Sequence, residues 1–429
     1  MSWLLRLTKT AFQNAEPSER RPMTLSALWF ATLLGGYYMV RPVRDALGSE
    51  GNVNDLKNNF LVVFLVMLVA VPVYSQLVSR FRRGLVVPLV YRFLILNLLL
   101  FSAALKWLPP DQRIWAARTF FVWVSVYVLF AMSLFWSVMA DTFSSDQGRR
   151  LFGTIAGCGT VGALIGSAAA SELVKATGTA GLLLLPAVLM EFGLWLYRRL
   201  DAASPAVRNA ASEPTGGNPF AGFLRVLESP YLLGICWYIL VTALCGTSLY
   251  LSQSEIVKAA YPVVEDRVVV FARVDLATQI LTAVLQLAVV GRLMKFSLPL
   301  ALSILPLAYL AGFTVLGFRP VLPVLIAVVV VTRSVVYGLT VPSQGVLFTV
   351  VSREDKYKSK NVIDTLVTRG GDTAASEVGS RLREFNLGIP MLSWMMIPLT
   401  ILWGILAWQL GRNSLKRAAL IETGQLSVK

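Results

Sequence analysis

The chain has 429 residues, of which 56% are hydrophobic and only 15% charged, and its mean hydropathy is +0.65. That composition excludes a water-soluble globule built on one ordinary core and implies a polytopic membrane protein. The formal net charge of +15 does not point to nucleic acid, because the arginines form no soluble basic stripe and sort instead by side of a membrane.

Residues 1–22 carry Arg6, Lys9, Arg20 and Arg21 around a short amphipathic stretch too brief to span, and no cleavable signal sequence is evident. Twelve spans are predicted after it, at Met23–Ala46, Phe60–Val78, Gly84–Leu105, Trp115–Asp141, Leu151–Val174, Gly181–Tyr197, Tyr231–Val257, Val268–Val290, Leu298–Phe318, Val321–Val351, Asn361–Leu382 and Ile389–Leu410. Pro42 predicts a break near the end of the first helix. With the N-terminus inside, 23 Lys and Arg fall on the inner side and ten on the outer. The positive-inside rule therefore predicts that both termini are cytoplasmic.

The stretch DAASPAVRNAASEPTGGNP, residues 201–219, is the only long polar linker, and it falls between the sixth and seventh spans. It divides the chain into an N-terminal six-helix half (23–200) and a C-terminal half (220–412), with a cytoplasmic tail at 413–429. SSDQGRRLFGTIAGCGTVGALIGS after the fourth span resembles SREDKYKSKNVIDTLVTRGGDTAAS after the tenth, at an offset of about 209 residues. The fold expected is all-α, with twelve transmembrane helices in a 6+6 pseudo-repeat. This arrangement resembles that of the major facilitator superfamily, in which a midplane site is exposed alternately to either side.

Six arginines remain inside the spans: Arg41, Arg44, Arg92, Arg273, Arg333 and Arg369. A charge at mid-bilayer costs about 2.5–3.5 kcal/mol on insertion scales unless it is paired or faces water, so such residues are the best candidates for a site. In YYMVRPVRDALGSE, Arg41, Arg44 and Asp45 share one helical face. Asp45 can partner either arginine there, leaving the other for an anion. The bland alternative is that these charges snorkel to the outer headgroups. Arg333, Arg369 and Asp372 fall near the midplane of the tenth and eleventh spans, joined by Asp275 and Asp364 as carboxylates. Gln279 and Gln286 form a helix-spaced polar pair expected to face the same cavity. Interhelical ion pairing is the alternative for this whole set. Arg92 and Glu191, on the third and sixth spans, are expected to pin the first half together. The five glycines from Gly153 to Gly166 read as close helix packing rather than a phosphate cradle.

Cys158, Cys236 and Cys245 lie in apolar helices, and the chain has no His. Neither a zinc site nor a disulfide framework is expected, no cofactor is implied, and carboxylates are left to carry protons if transport is proton-coupled. No catalytic constellation is visible, so an enzyme, such as an intramembrane transferase, is the weakest reading.

VRPVRDALG in the first helix, LFWSVMAD with RRLFGTIAGCGTVGALIGS, YLSQSEIVKAAYP in the seventh helix and KSKNVIDTLVTRGGD in the eleventh together resemble the ATP/ADP translocase, or nucleotide transporter, family. The similarity is greatest to that family's relatives in free-living bacteria. The resemblance implies a bacterial inner-membrane location and nucleotide transport by antiport. It puts Arg44 at the place of a phosphate-contacting lysine, and Glu255 beside an acidic position of the seventh helix. The pattern departs at Val124, where the family has an acidic residue, and at Asp372, where it has a basic one.

The function expected is secondary active transport by alternating access of an organic anion, such as a nucleotide or related phosphorylated metabolite. Arg41, Arg44, Arg333, Arg369, Gln279 and Glu255 would bind it, while Asp45, Asp275, Asp364 and Asp372 would hold those arginines or couple protons. The partners expected are a small anionic substrate and the lipid bilayer, with the protein a monomer. The alternatives are proton-coupled transport of another solute, such as a siderophore or drug, and a non-transporting receptor or assembly factor.

Overall fold

The computed structural model describes residues 15–51, 53–203, 229–351, 363–385 and 387–423. Most of the 201–219 linker lies outside the described residues, as do the first fourteen residues of the N-terminal segment and the last six of the tail. The first six helices are α1 (Pro17–Gly48), α2 (Val53–Arg80), α3 (Arg83–Trp107), α4 (Pro110–Thr142), α5 (Ser145–Leu182) and α6 (Leu184–Ala203). After the linker come α7 (Pro230–Ala260) and α8, which runs Val264–Leu285 and continues through a π turn, Gln286–Val290, into Gly291–Phe296. Next are α9 (Leu298–Phe318) and α10, which runs Leu322–Val335, a π turn at Val336–Thr340, Val341–Leu347 and a 3-10 turn at Phe348–Val350. Last come α11, a π turn at Ile363–Val367 leading into Thr368–Glu384, and α12 (Ile389–Glu422).

Ten of these are long and apolar enough to cross a membrane by composition among the described residues. The other two, α6 and α11, carry Glu191, Arg198 and Arg199, and Arg369, Asp372 and Glu377, respectively. Local chemistry sets several boundaries. Ser144 and Gln147 form a reciprocal capping box at the start of α5, and the Ser229 and Ser297 hydroxyls accept from the Leu232 and Leu300 amides in the first turns of α7 and α9. Gly178 has φ +69°, a conformation open to glycine at little steric cost, and it kinks α5 near its end.

One local expectation fails: α1 continues through Pro42 to Gly48. The imide removes a single hydrogen bond to the carbonyl four residues back, and neighbouring helices supply the packing that keeps such a helix intact in a membrane.

Packing divides the chain into two compact units. The first holds α1, α3 to α6, the end of α2 from Val69 and the start of α8 as far as Leu276; the second holds α2 as far as Leu68, α7, α8 from Ala277 and α9 to α12. Within the first unit, α1 lies against α4, α5 and α6, and α3 against α4 and α6. Within the second, α7 lies against α10, α11 and α12, and α9 against α10 and α12. Each of these five pairs recurs six helices on.

The recurrence extends to single residues. In the first unit Trp29 of α1 is fully buried, its ring 6.0 Å from Tyr91 of α3 and 5.2 Å from Tyr197 of α6. In the second, Tyr238 of α7 and Tyr309 of α9 stand 5.5 and 5.8 Å from Trp403 of α12. Aromatic trios of this kind contribute large buried area and tilted ring contacts. Gly162 of α5 abuts the backbone of Ala31, and Gly371 of α11 lies beside Leu240 and Ala243; both Gly371 and Leu240 stand 209 residues after their counterparts. Gly159 and Gly166 also touch α1, whereas Gly153 and Gly157 face open space, with no atom within 4 Å of where a Cβ would stand. Close packing therefore accounts for three of the five glycines.

Candidate functional site

Near its end, α1 turns two arginines and one aspartate into the first unit. Arg44 donates from Nε (2.9 Å) and Nη2 (2.6 Å) to Oδ1 of Asp45, and its guanidinium lies 5.4 Å from the Phe121 ring. Arg41 Nε is 3.9 Å from Asp45 Oδ2 and 3.6 Å from Asp275 Oδ2 on α8. Arg41, Asp45 and Asp275 are all buried. On α1 alone, two cations face one carboxylate and leave excess positive charge. The structure adds to that count: among the described residues Asp275 arrives from α8 as a second carboxylate beside Arg41. An opposite charge nearby is what a buried ionic group requires, since a lone charge in this environment would be strongly penalised.

The start of α8 is held to α1 and α5 along its length. Arg267 donates to Ser49 Oγ at 2.8 Å and lies 3.6 Å from Glu50. Thr179 donates to Glu265 at 2.8 Å, and Lys175 lies 2.9 Å from Asp266. Arg267 falls just outside the eighth span predicted from the sequence, where it reads as an outer loop cation, yet it is 3% exposed. A complementary arrangement holds the start of α2 in the second unit. There Lys57 lies 3.2 Å from Glu377, Lys258 donates to the Gly51 carbonyl at 3.0 Å, and Thr373 donates to that of Phe60 at 3.4 Å.

In the second unit, α7, α10 and α11 bring charged and polar side chains into contact. Arg369 Nη1 donates to Asp372 Oδ2 at 3.2 Å, and Asp372 Oδ1 accepts from the Thr247 hydroxyl at 2.7 Å. Arg333 Nη2 donates to Gln253 Oε1 at 3.1 Å. Gln253 is completely buried, and its Nε2 has no hydrogen-bond partner among the described residues. The Arg369 side chain is 31% exposed and that of Asp372 14%, while Arg333 is half-buried. These three groups are therefore only partly covered by the rest of the protein.

The remaining candidates are dispersed. Glu255 is exposed near the end of α7 and pairs with Arg383. Gln279 is buried, whereas Gln286 is exposed and donates to the Tyr337 carbonyl at 3.3 Å. That bond joins the π turns of α8 and α10, a kind of irregularity that recurs at functional sites. Asp364 lies in the π turn opening α11, and its side chain is outside the described residues. Arg273 is exposed on α8, and Val124 is buried. Arg92 and Glu191 meet as expected.

Sequence reasoning overlooked Thr247 and Gln253. Both are neutral residues, and a hydropathy scan weighs them too lightly to stand out; Gln253 lies within the YLSQSEIVK stretch, which was the available signal.

No protein-family model and no curated protein matches the chain. Solved structures do. A POT family transporter in complex with 5-aminolevulinic acid is 13% identical, with 91% of this chain and 96% of that chain covered and a TM-score of 0.65. A bacterial homologue of the iron transporter ferroportin in an inward-facing state is 12% identical, covering 92% and 100%, with a TM-score of 0.63. A variant of the nucleoside transporter NupG is 13% identical, covering 93% and 99%, with a TM-score of 0.61. At these identities the likeness concerns the fold: this is a multi-pass membrane protein with the twelve-helix, 6+6 major-facilitator architecture.

Proposed function

We propose that this chain, built on the major-facilitator fold, is a secondary transporter working by alternating access on an organic anion such as a nucleotide or related phosphorylated metabolite. The observation that carries the reading is that Arg333 and Arg369 stay only half-buried in the second unit while each is held by a hydrogen bond, to Gln253 and to Asp372. A guanidinium offers fixed, bidentate donors suited to phosphate or carboxylate. Asp372, held by Thr247, keeps Arg369 aligned while no substrate is bound. Arg41, Arg44, Asp45 and Asp275 form a second ionic cluster, in which Arg44 is the phosphate-contacting candidate by family resemblance. Proton-coupled transport of a different solute is the second reading, favoured by the burial of Asp45 and Asp275.

Uptake into proteoliposomes from a panel of nucleotides, sugar phosphates and carboxylates tests this function. Arg333→Ala and Arg369→Ala are expected to weaken apparent affinity for the transported anion by roughly ten- to over a hundredfold, the loss of one charge-assisted hydrogen bond. Equal transport by parent and both variants would move the site to Arg41 and Arg44, and no flux of any solute would favour a receptor.

The protein is proposed to lie in a bacterial inner membrane with both termini and the 201–219 linker cytoplasmic, on the strength of the 23-to-ten basic asymmetry. In a background with Cys158, Cys236 and Cys245 replaced by alanine, Ala210→Cys is expected to resist an impermeant maleimide in intact cells and to react after permeabilisation. Labelling from outside would reverse the topology.

A further inference from the structure

We infer that the outer face of α3 and α6 is a homodimer interface, centred on Arg92 and Glu191. Arg92 Nη2 and Glu191 Oε1 stand 3.8 Å apart, with 56% and 53% of their side chains exposed. Neither makes a hydrogen bond among the described residues. They sit on otherwise apolar helical stripes, between Leu89 (63% exposed) and Leu96 (53%) on α3, and between Val188 (66%) and Trp195 (46%) on α6. The spacing i, i+3, i+7 keeps each stripe on one face.

Scattered apolar exposure is what lipid tails cover, but lipid tails offer nothing to a guanidinium or a carboxylate. Arg92 lies nine residues from the start of α3 and Glu191 seven from the start of α6, roughly 14 and 10 Å along the helices from their near ends. A headgroup phosphate is therefore a poor partner for the pair. At 3.8 Å the two charges offset each other while retaining unused donors and acceptors, and ionisable groups inside a membrane characteristically face protein or water. The occupant that answers both charges at once is a second copy of this chain. An isologous two-fold contact places Arg92 against Glu191 of the second copy and Glu191 against its Arg92, closing a four-membered ionic ring from a single surface. Polar groups of this kind hold membrane helices together where hydrophobicity cannot.

The test is single-molecule photobleaching of the full chain in phosphatidylethanolamine/phosphatidylglycerol liposomes over a protein-to-lipid dilution series. The parent is expected to bleach in two steps at high density. Arg92→Glu and Glu191→Arg, each leaving like charges on the face, should raise the density needed for half dimerisation by about tenfold or more. Mixed together under two colours, the acidic and the basic variant should pair with each other. If either reversal fails to fold, Arg92→Met/Glu191→Met removes both charges and is expected to be folded and monomeric at the densities where the parent is dimeric. One-step bleaching of the parent throughout, parent-like dimerisation of the reversed or double-Met variants, or folded acidic and basic variants that do not pair would each overturn the inference.

Discussion

Asp275→Ala is expected to destabilise the protein by about 3–5 kcal/mol, the usual penalty for removing one partner of a buried ion pair. Asp275 stands 3.6 Å from Arg41, with the two side chains only 1% and 8% exposed. Its loss takes away a carboxylate that stands 3.6 Å from Arg41. The cost arises from stranding a cation in a medium that solvates it badly, and it exceeds the net worth of the intact pair. Arg41→Met/Asp275→Leu, which deletes both charges and fills the volume, should recover most of the loss. Thermal unfolding of detergent-solubilised protein, followed by tryptophan fluorescence, measures all three. An Asp275→Ala protein that melts with the parent would show that the two groups do not depend on each other. Uptake by the doubly substituted protein then separates folding from transport, because a merely structural pair should leave flux intact.

Gly162→Val should prevent assembly of the first unit. A Cβ added at Gly162 would lie 2.1 Å from the Ala31 carbonyl oxygen, and one at Gly166 would lie 2.2 Å from that of Gly35. Backbone cannot move aside as a flexible side chain can, so α5 would have to separate from α1. Lost packing and strain of this kind exceed the roughly 1–3 kcal/mol typical of overpacking. Even Gly162→Ala should destabilise, although alanine is the better helix former by about 1 kcal/mol. Gly153→Ala and Gly157→Ala, on the same helix with nothing within 4 Å, should be neutral or slightly stabilising. Size-exclusion profiles and melting of these variants provide the comparison. A monodisperse Gly162→Ala protein as stable as the parent would mean that α1 and α5 do not approach this closely.

How much of the candidate site was legible depended on the kind of residue. Charged groups in apolar runs announce themselves, and so Arg41, Asp45, Asp275, Arg333, Arg369 and Asp372 could all be singled out before any fold was known. Neutral partners do not, and so Thr247 and Gln253 stand out only once α7 is seen against α11 and α10. Residues near helix ends are also easily misjudged. Arg267 reads as a loop cation, yet α8 begins early enough to bury it against Ser49 and Glu50. Glu255 reads as part of the site by family position, and only the structure shows that it pairs with Arg383.

By itself the sequence determined the class, the twelve-helix fold and the identity of most intramembrane charges. All of these follow from local composition, because the bilayer demands about 20 apolar residues per span wherever that span lies. Only the tertiary structure decided which charge answers which. Asp275 offsets Arg41 because the start of α8 lies along the end of α1, and Glu377 offsets Lys57 because α2 begins beside α11. Ionic partners are selected by distances of a few ångströms between helices remote in the chain, and hydropathy, a property of each helix alone, holds no record of those distances.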